Sequence, residues 1–349
     1  MRLHRVHVWM VFWLRQLTEN AGLARLARLD GRPTDLNGGI PGTAAASLSA
    51  MVKLAGYETG TVVCAWLALS AAVGCNMPKY VADTNARMNE ETAHVIEAFF
   101  DVDVALEAMP SLIVQYEAML SLSPENTDLM LSLAQFYQDY ASVFLRERAA
   151  EATGAGDEAA AARFLRRAGN MHLRAKELAL NALQQNEALA GDPTDHSALA
   201  KQLRSRADAQ DLRALVLAGS AWGDAVDAGV AEAGQLPLAQ AFVERAVAVD
   251  PSYGQCSGLS ALGALRASDE PEQAKAHFER ALTLCERRNH NLQVAYARSY
   301  ALGTKNRELY VKLLEEVIEA EDAGDDVRLR NAMARRQARR YLAQASELF

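Results

Sequence analysis

From about residue 90 to the end, apolar positions recur three and four residues apart, the spacing that lays a stripe along one side of an α-helix. In one window Leu129, Met130, Leu133, Ala134, Phe136, Tyr137, Tyr140, Ala141 and Phe144 make a stripe too wide for a helix standing alone, so it must pack against neighbours. A small polar residue precedes proline at Ser123-Pro124, Asp192-Pro193 and Asp250-Pro251, a pair expected to cap a helix and put Pro in its first turn. Gly154 to Asp157 and Gly191 to Asp195 predict loops. Alternating β-branched runs are missing from this body, and the pattern predicts an all-α chain.

The helices also repeat. Ala239, Val243, Ala246 and Pro251 follow the small-large-small-Pro order of a tetratricopeptide second helix, and Ala274, Phe278 and Ala281 repeat it 35 residues later. Tyr116 and Pro124 take the equivalent places upstream, with Met130, Leu133, Ala134 and Tyr137 matching the first helix that should follow. Small residues let two helices approach and the large one fills the gap between hairpins, so residues 93–349 predict four or five tetratricopeptide-like hairpins stacked into an α-α superhelical array.

Half of the residues are apolar, which agrees with a large helical core. Charge is more telling once the chain is divided at Cys75. Residues 1–74 carry seven basic and four acidic side chains, leaving 29 basic against 40 acidic beyond them, a net of −11. That balance lacks the footprint of a nucleic-acid binder. Arg335, Arg336, Arg339 and Arg340 fall in a helix-like tail and read as a solvated face.

Residues 51–74 have the parts of an export signal: Lys53, an apolar run from Thr61 to Val73, and a small-residue site. Ala72-Val73-Gly74-Cys75 resembles a lipobox, which predicts cleavage before Cys75 and a lipid on its thiol. The apolar run falls short of the roughly 20 residues that span a bilayer. Asn76, in the place where Asp would retain a lipoprotein at the inner membrane, favours the periplasmic side of the outer membrane. Residues 1–50 read as an extension upstream of a start at Met51, the competing reading being an amphipathic anchor over Val6 to Leu17; residues 75–92 read as a flexible tether.

A set of ordered landmarks then resembles the TRAP-transporter T-component family. They are Ser123-Pro124-Glu125-Asn126, Tyr137-x-x-Tyr140-Ala141-x-x-Phe144, Ala218-x-x-Ala221-Trp222-Gly223 and Arg245-Ala246-x-x-x-Asp250-Pro251-x-Tyr253-Gly254. His277-Phe278-Glu279-Arg280-Ala281-Leu282, Val294-x-Tyr296-Ala297, Leu314-x-x-Val317, Arg328-Leu329-x-Asn331-x-x-Ala334 and Glu347-Leu348-Phe349 complete the order, over residues 95 to 349. A glycine expected between Ala267 and Pro271 is missing. The resemblance implies a periplasmic lipoprotein that forms a ring-like homo-oligomer, a trimer, and associates with the solute-binding protein of a tripartite ATP-independent transporter. It also implies an apolar channel for a hydrophobic or organic-acid ligand.

Catalytic chemistry is not signalled. His94, His172, His196, His277 and His290 lack the two-His spacing of a helical metal site, and no phosphate loop, nucleophile elbow or cofactor fingerprint occurs. No cofactor or metal is expected. Cys256 opens one helix and Cys285 closes the next, so antiparallel packing would bring them together, as a disulfide or as two small buried residues. Leu212 to Val226 and Gly258 to Leu265 are apolar or small on nearly every side. They either pack closely all round or line an apolar cavity, for which Leu215, Ala218, Trp222, Leu259 and Leu262 are the lining residues. The leading expectation is a transport accessory; the alternative is a general peptide-binding adaptor in envelope assembly or secretion, against which the apolar first helices argue.

Overall fold

The computed structural model describes residues 77–88, 91, 93–99, 101–191 and 195–349. Cys75, the signal segment, the 1–50 extension and Asp192-Pro193 lie outside the described residues. The chain is all-α, with no strand among the described residues.

Helix α1 covers residues 77–88, where the sequence suggests a flexible tether. Its inner face is two small residues one turn apart, Ala82 and Ala86, at 1% and 4% exposure, too faint a stripe to stand out in the sequence. After α2 (Ala93–Glu97), Asp101 starts α3 (Val102–Leu122) by accepting from the amides of Asp103 and Val104. Asn126 caps α4 (Thr127–Asp139) through the amide of Leu129. Pro124 thus sits in the turn before the cap, and Pro251 likewise precedes its helix. At Asp250 the carboxylate is used by the amide and hydroxyl of Ser252, 2.8 and 2.6 Å away, which builds the interhelical turn itself. At Pro271 the first-turn placement does occur.

The stripe after α4 does not continue as plain α-helix. Tyr140–Leu145 is a π segment leading into α5 (Arg146–Gly154), and Ala297–Ala301 is a second one after α12 (Asn291–Tyr296). Between them run α6 (Glu158–Gln185), α7 (His196–Arg206), α8 (Leu212–Asp227), α9 (Leu236–Val249), α10 (Tyr253–Arg266) and α11 (Pro271–Leu284). Then come α13 (Arg307–Glu319), α14 (Arg328–Ala343) and α15 (Ala345–Leu348).

Helices α8 with α9 and α10 with α11 pack as successive hairpins, and the spaced residues of their second helices are sealed inside. Ala239, Val243, Ala274, Phe278 and Ala281 are wholly buried. None of residues 267–270 has a positive φ, so the short α10–α11 loop needs no glycine.

Two apolar clusters form the core. The larger is built from α1, α3, α4, the first π segment, α6 to α9 and the end of α10 (Leu262 and Leu265), the smaller from the start of α10 (Cys256 and Leu259) through α13. Helix α14 joins both: Leu329 and Met333 enter the first, while Ala334, Ala338 and Tyr341 enter the second. Its arginines are therefore not a solvated face. Arg330 pairs with Glu97 at 2.8 Å, Arg336 with Glu147 at 2.9 Å and with Asp103, and Arg335 donates to the Ala320 carbonyl at 2.8 Å. Arg339 alone of the run Arg335, Arg336, Arg339 and Arg340 stays exposed.

Candidate functional site

The five residues proposed to line an apolar cavity lie in the packed interior. Leu215, Ala218 and Leu259 are 0% exposed, and Trp222 and Leu262 are 2% exposed. Glycines bring the neighbouring helices into contact with them. A Cβ on Gly263 would stand 2.6 Å from the Phe278 ring, and one on Gly219 2.6 Å from the Ala239 carbonyl oxygen. Trp222 donates from Nε1 to Gln235 at 2.9 Å, while Lys176 lies 4.8 Å over its ring. Close packing therefore accounts for the small-residue faces, and neither of the two cavities described next contains any of these five side chains.

The larger cavity, about 590 Å³, is a groove between α11 and α13 with Glu279, Thr283, Tyr296, Lys312, Leu313 and Glu316 among its walls. A second, about 460 Å³, adjoins it across Glu279 and Thr283 and reaches Pro251 and the exposed Leu284. The first groove is too charged to be the apolar channel implied by the resemblance, since Arg287 and Glu316 pair across its rim at 2.5 Å.

Beside the groove, Cys256 and Cys285 form a disulfide with Cα atoms 6.1 Å apart. The backbone around it is left-handed on both sides, with φ of 55°, 57° and 63° at Gly254, Gln255 and Cys256 and of 49° and 57° at Glu286 and Arg287. For residues other than glycine this conformation costs roughly 1–2 kcal/mol each. Side-chain amides hold it in place. Asn289 Nδ2 donates to the Gln255 carbonyl at 3.1 Å, and Asn331 Nδ2 to the Arg288 carbonyl at 2.8 Å. The oxygen of Asn331 accepts from the His290 amide at 2.9 Å.

The two π segments bring arginines to one place, at the seam between the cores. Arg146 follows the first, Arg298 lies within the second, and Arg340 comes from the last turn of α14. Tyr341 is 7% exposed, with the guanidiniums of Arg298 and Arg340 4.4 and 4.7 Å from its ring centre. Its hydroxyl accepts from Arg298, and Tyr310 donates to its carbonyl at 3.2 Å. Burial alone would push the Tyr341 phenol up, yet the fields of Arg298, Arg340 and Arg146 outweigh it and hold the group below its usual range. The sequence offered no motif for this convergence. Its traces were the landmark ending at Ala297, one residue before Arg298, and an arginine run that reads as surface.

On the far side of Arg146, His172 is fully buried and shares a 2.8 Å hydrogen bond from Nδ1 to Gln138 Oε1, while Gln138 Nε2 donates to Asp224. Its Nε2 has no partner, and burial holds the ring below the usual histidine range, hence neutral. Among the described residues no cluster of His, Cys, Asp and Glu is arranged to hold a metal ion, and no helix is long and apolar enough to cross a membrane. His277 is half-buried beside Arg266, and its own burial, followed by the positive field of Arg266, lowers its pKa.

Residues 100–349 match the model of the TRAP transporter T-component family. No curated protein matches the chain.

Proposed function

We propose, since the chain belongs to the TRAP transporter T-component family, that it acts in that transport system by docking a periplasmic solute-binding protein and passing it a hydrophobic or organic-acid ligand. The family match over residues 100–349 carries this reading, because it covers the smaller apolar core, all of the larger one beyond α1 and α2, and helix α14, which enters both. In this reading the protein is a non-enzymatic accessory. A lipid on Cys75 tethers it to the outer membrane facing the periplasm, and copies assemble into a ring-like trimer.

The sequence around Cys75 supports the anchor, and the packed hairpins support a scaffold in place of a catalyst. The protein recovered with its lipid from native membranes should bring a solute-binding protein with it. If intact, lipidated protein is recovered repeatedly and no solute-binding protein accompanies it, the reading is wrong.

A further inference from the structure

Helix α1 carries two faces at the same helical spacing. Lys79, Ala82, Asp83 and Ala86 face inward, the charged pair onto Ser123, Glu125 and Asn126 at the α3–α4 turn and the alanines into the larger core. On the opposite side Met77, Tyr80 and Val81 are 55%, 67% and 50% exposed, and Thr84 and Met88 continue the same line toward the end of the helix, also exposed. Roughly half of the circumference therefore holds no acidic side chain, and its one charge is Arg87 at the edge. That arc stands out on a chain whose net charge beyond residue 74 is −11.

We propose that the outer face of α1 is a lipid-contact surface, lying flat in the headgroup layer with Met77, Tyr80 and Val81 reaching the acyl boundary. This rests on the Cys75 anchor in the function above and goes beyond it, because protein side chains then set how the molecule sits on the membrane. Met77 follows Cys75 by two residues, at most about 7 Å of extended chain. A lipid on Cys75 thus holds the first turn of α1 at the headgroups, and since the inner face is committed to the α3–α4 turn, the outer face is the one that meets them. Residues 77–88 make a helix about 18 Å long, too short to cross a hydrocarbon core of about 30 Å. In the plane of the interface, however, an apolar stripe sinks in while a tyrosine keeps its ring at the boundary and its hydroxyl in water. An arc without carboxylates also lets an acidic protein approach anionic headgroups, with Arg87 beside it to meet a phosphate.

The test uses the chain from Cys75 to Phe349, which holds both apolar cores, since these begin at Ala82. Its one thiol outside the Cys256–Cys285 bond is Cys75, which is joined to a maleimide-bearing phospholipid in vesicles of phosphatidylethanolamine and phosphatidylglycerol. Its own single tryptophan, Trp222, is 2% exposed and serves as a silent background. In Tyr80→Trp the new indole should shift to shorter wavelength and lose most of its emission when the acyl chains carry bromine. Glu125→Trp, on the other side of α1 beside Lys79, should keep its emission. Adding Met77→Ser and Val81→Ser, both at exposed positions, to Tyr80→Trp should restore most of the lost emission. Unquenched Tyr80→Trp overturns the proposal, and so does equal quenching at position 125, which would show nearness to the tether alone, or quenching that the two serines leave unchanged. A wavelength shift that grows with protein concentration before vesicles are added gives the face to a second copy of the chain and overturns it too. The anchor itself is read separately, from the mass of protein taken from native membranes. A lipid found on Cys75 with Tyr80→Trp unquenched would leave the anchor standing and remove this face; quenching with Cys75 lipid-free in the native protein would do the reverse.

Discussion

Glycine and alanine at the helix contacts of α8 to α11 matter more than their size suggests. At Gly219 a Cβ would meet Val243 Cγ2 at 2.3 Å and the backbone oxygen of Ala239 at 2.6 Å, and the latter cannot swing aside as the end of a long side chain could. Gly219→Ala should therefore separate α8 from α9 and cost roughly 1–3 kcal/mol, read from the urea midpoint; an unchanged midpoint would show that the helices slide apart freely. The same crowding explains why an apolar, small-residue sequence could be read as a cavity wall. Side-chain size along one helix is visible in sequence, while the side chain that fills the space opposite belongs to another helix. Phe278 filling the place beside Gly263 is such a case.

At the scale of elements, α1 shows how a helix that buries little apolar surface is held. Asp83 accepts from Ser123 Oγ at 2.6 Å and Asn126 Nδ2 at 2.8 Å, and Lys79 bridges Asp83 and Glu125 at 3.0 and 2.8 Å. Those hydrogen bonds from Ser123 and Asn126, ahead of the contribution of Lys79, hold the Asp83 carboxyl down to about 2. An unfolded aspartate titrates near 3.9, so the contribution of this group is present above about pH 4 and fades as pH falls toward 2. Asp83→Ala should expose Lys79 and Arg87 to trypsin at neutral pH while the rest of the chain resists. The wild-type helix should loosen only in acid; equal protection of both chains at neutral pH would mean that α1 is held by Ala82 and Ala86 alone. Helix α14 makes the complementary point, because its charged run reads as surface until partners from α2, α3 and α5 are placed against it.

Across the whole molecule, the disulfide and the returning helix α14 tie distant parts of the chain together. Cys256 and Cys285 are 29 residues apart, and closing a loop of that length restricts the unfolded chain by roughly 3–4 kcal/mol. Reduction, or Cys285→Ala, should lower unfolding free energy by about that amount; two free thiols found by mass mapping of unreduced protein would exclude the bond. The left-handed residues beside it, together with Asn289 and Asn331, should then be the first to lose amide protection.

Local periodicity, though it missed helix α1 and the two π segments, was enough to show the all-α class, the helices around Ala239 and Phe278 and, with the ordered landmarks, the family. Each of these depends on residues within a few turns or on a 35-residue recurrence. Tertiary structure alone decided that 77–88 docks, that Trp222 and Leu262 fill space instead of bordering it, and that Arg298, Arg340 and Arg146 meet around Tyr341. Those outcomes depend on which charges and side chains arrive from other elements, 13 residues away for Gln235 on Trp222 and 40 or more for Ser123 on Asp83 and Tyr341 on Arg298, and one-dimensional spacing carries no record of their approach.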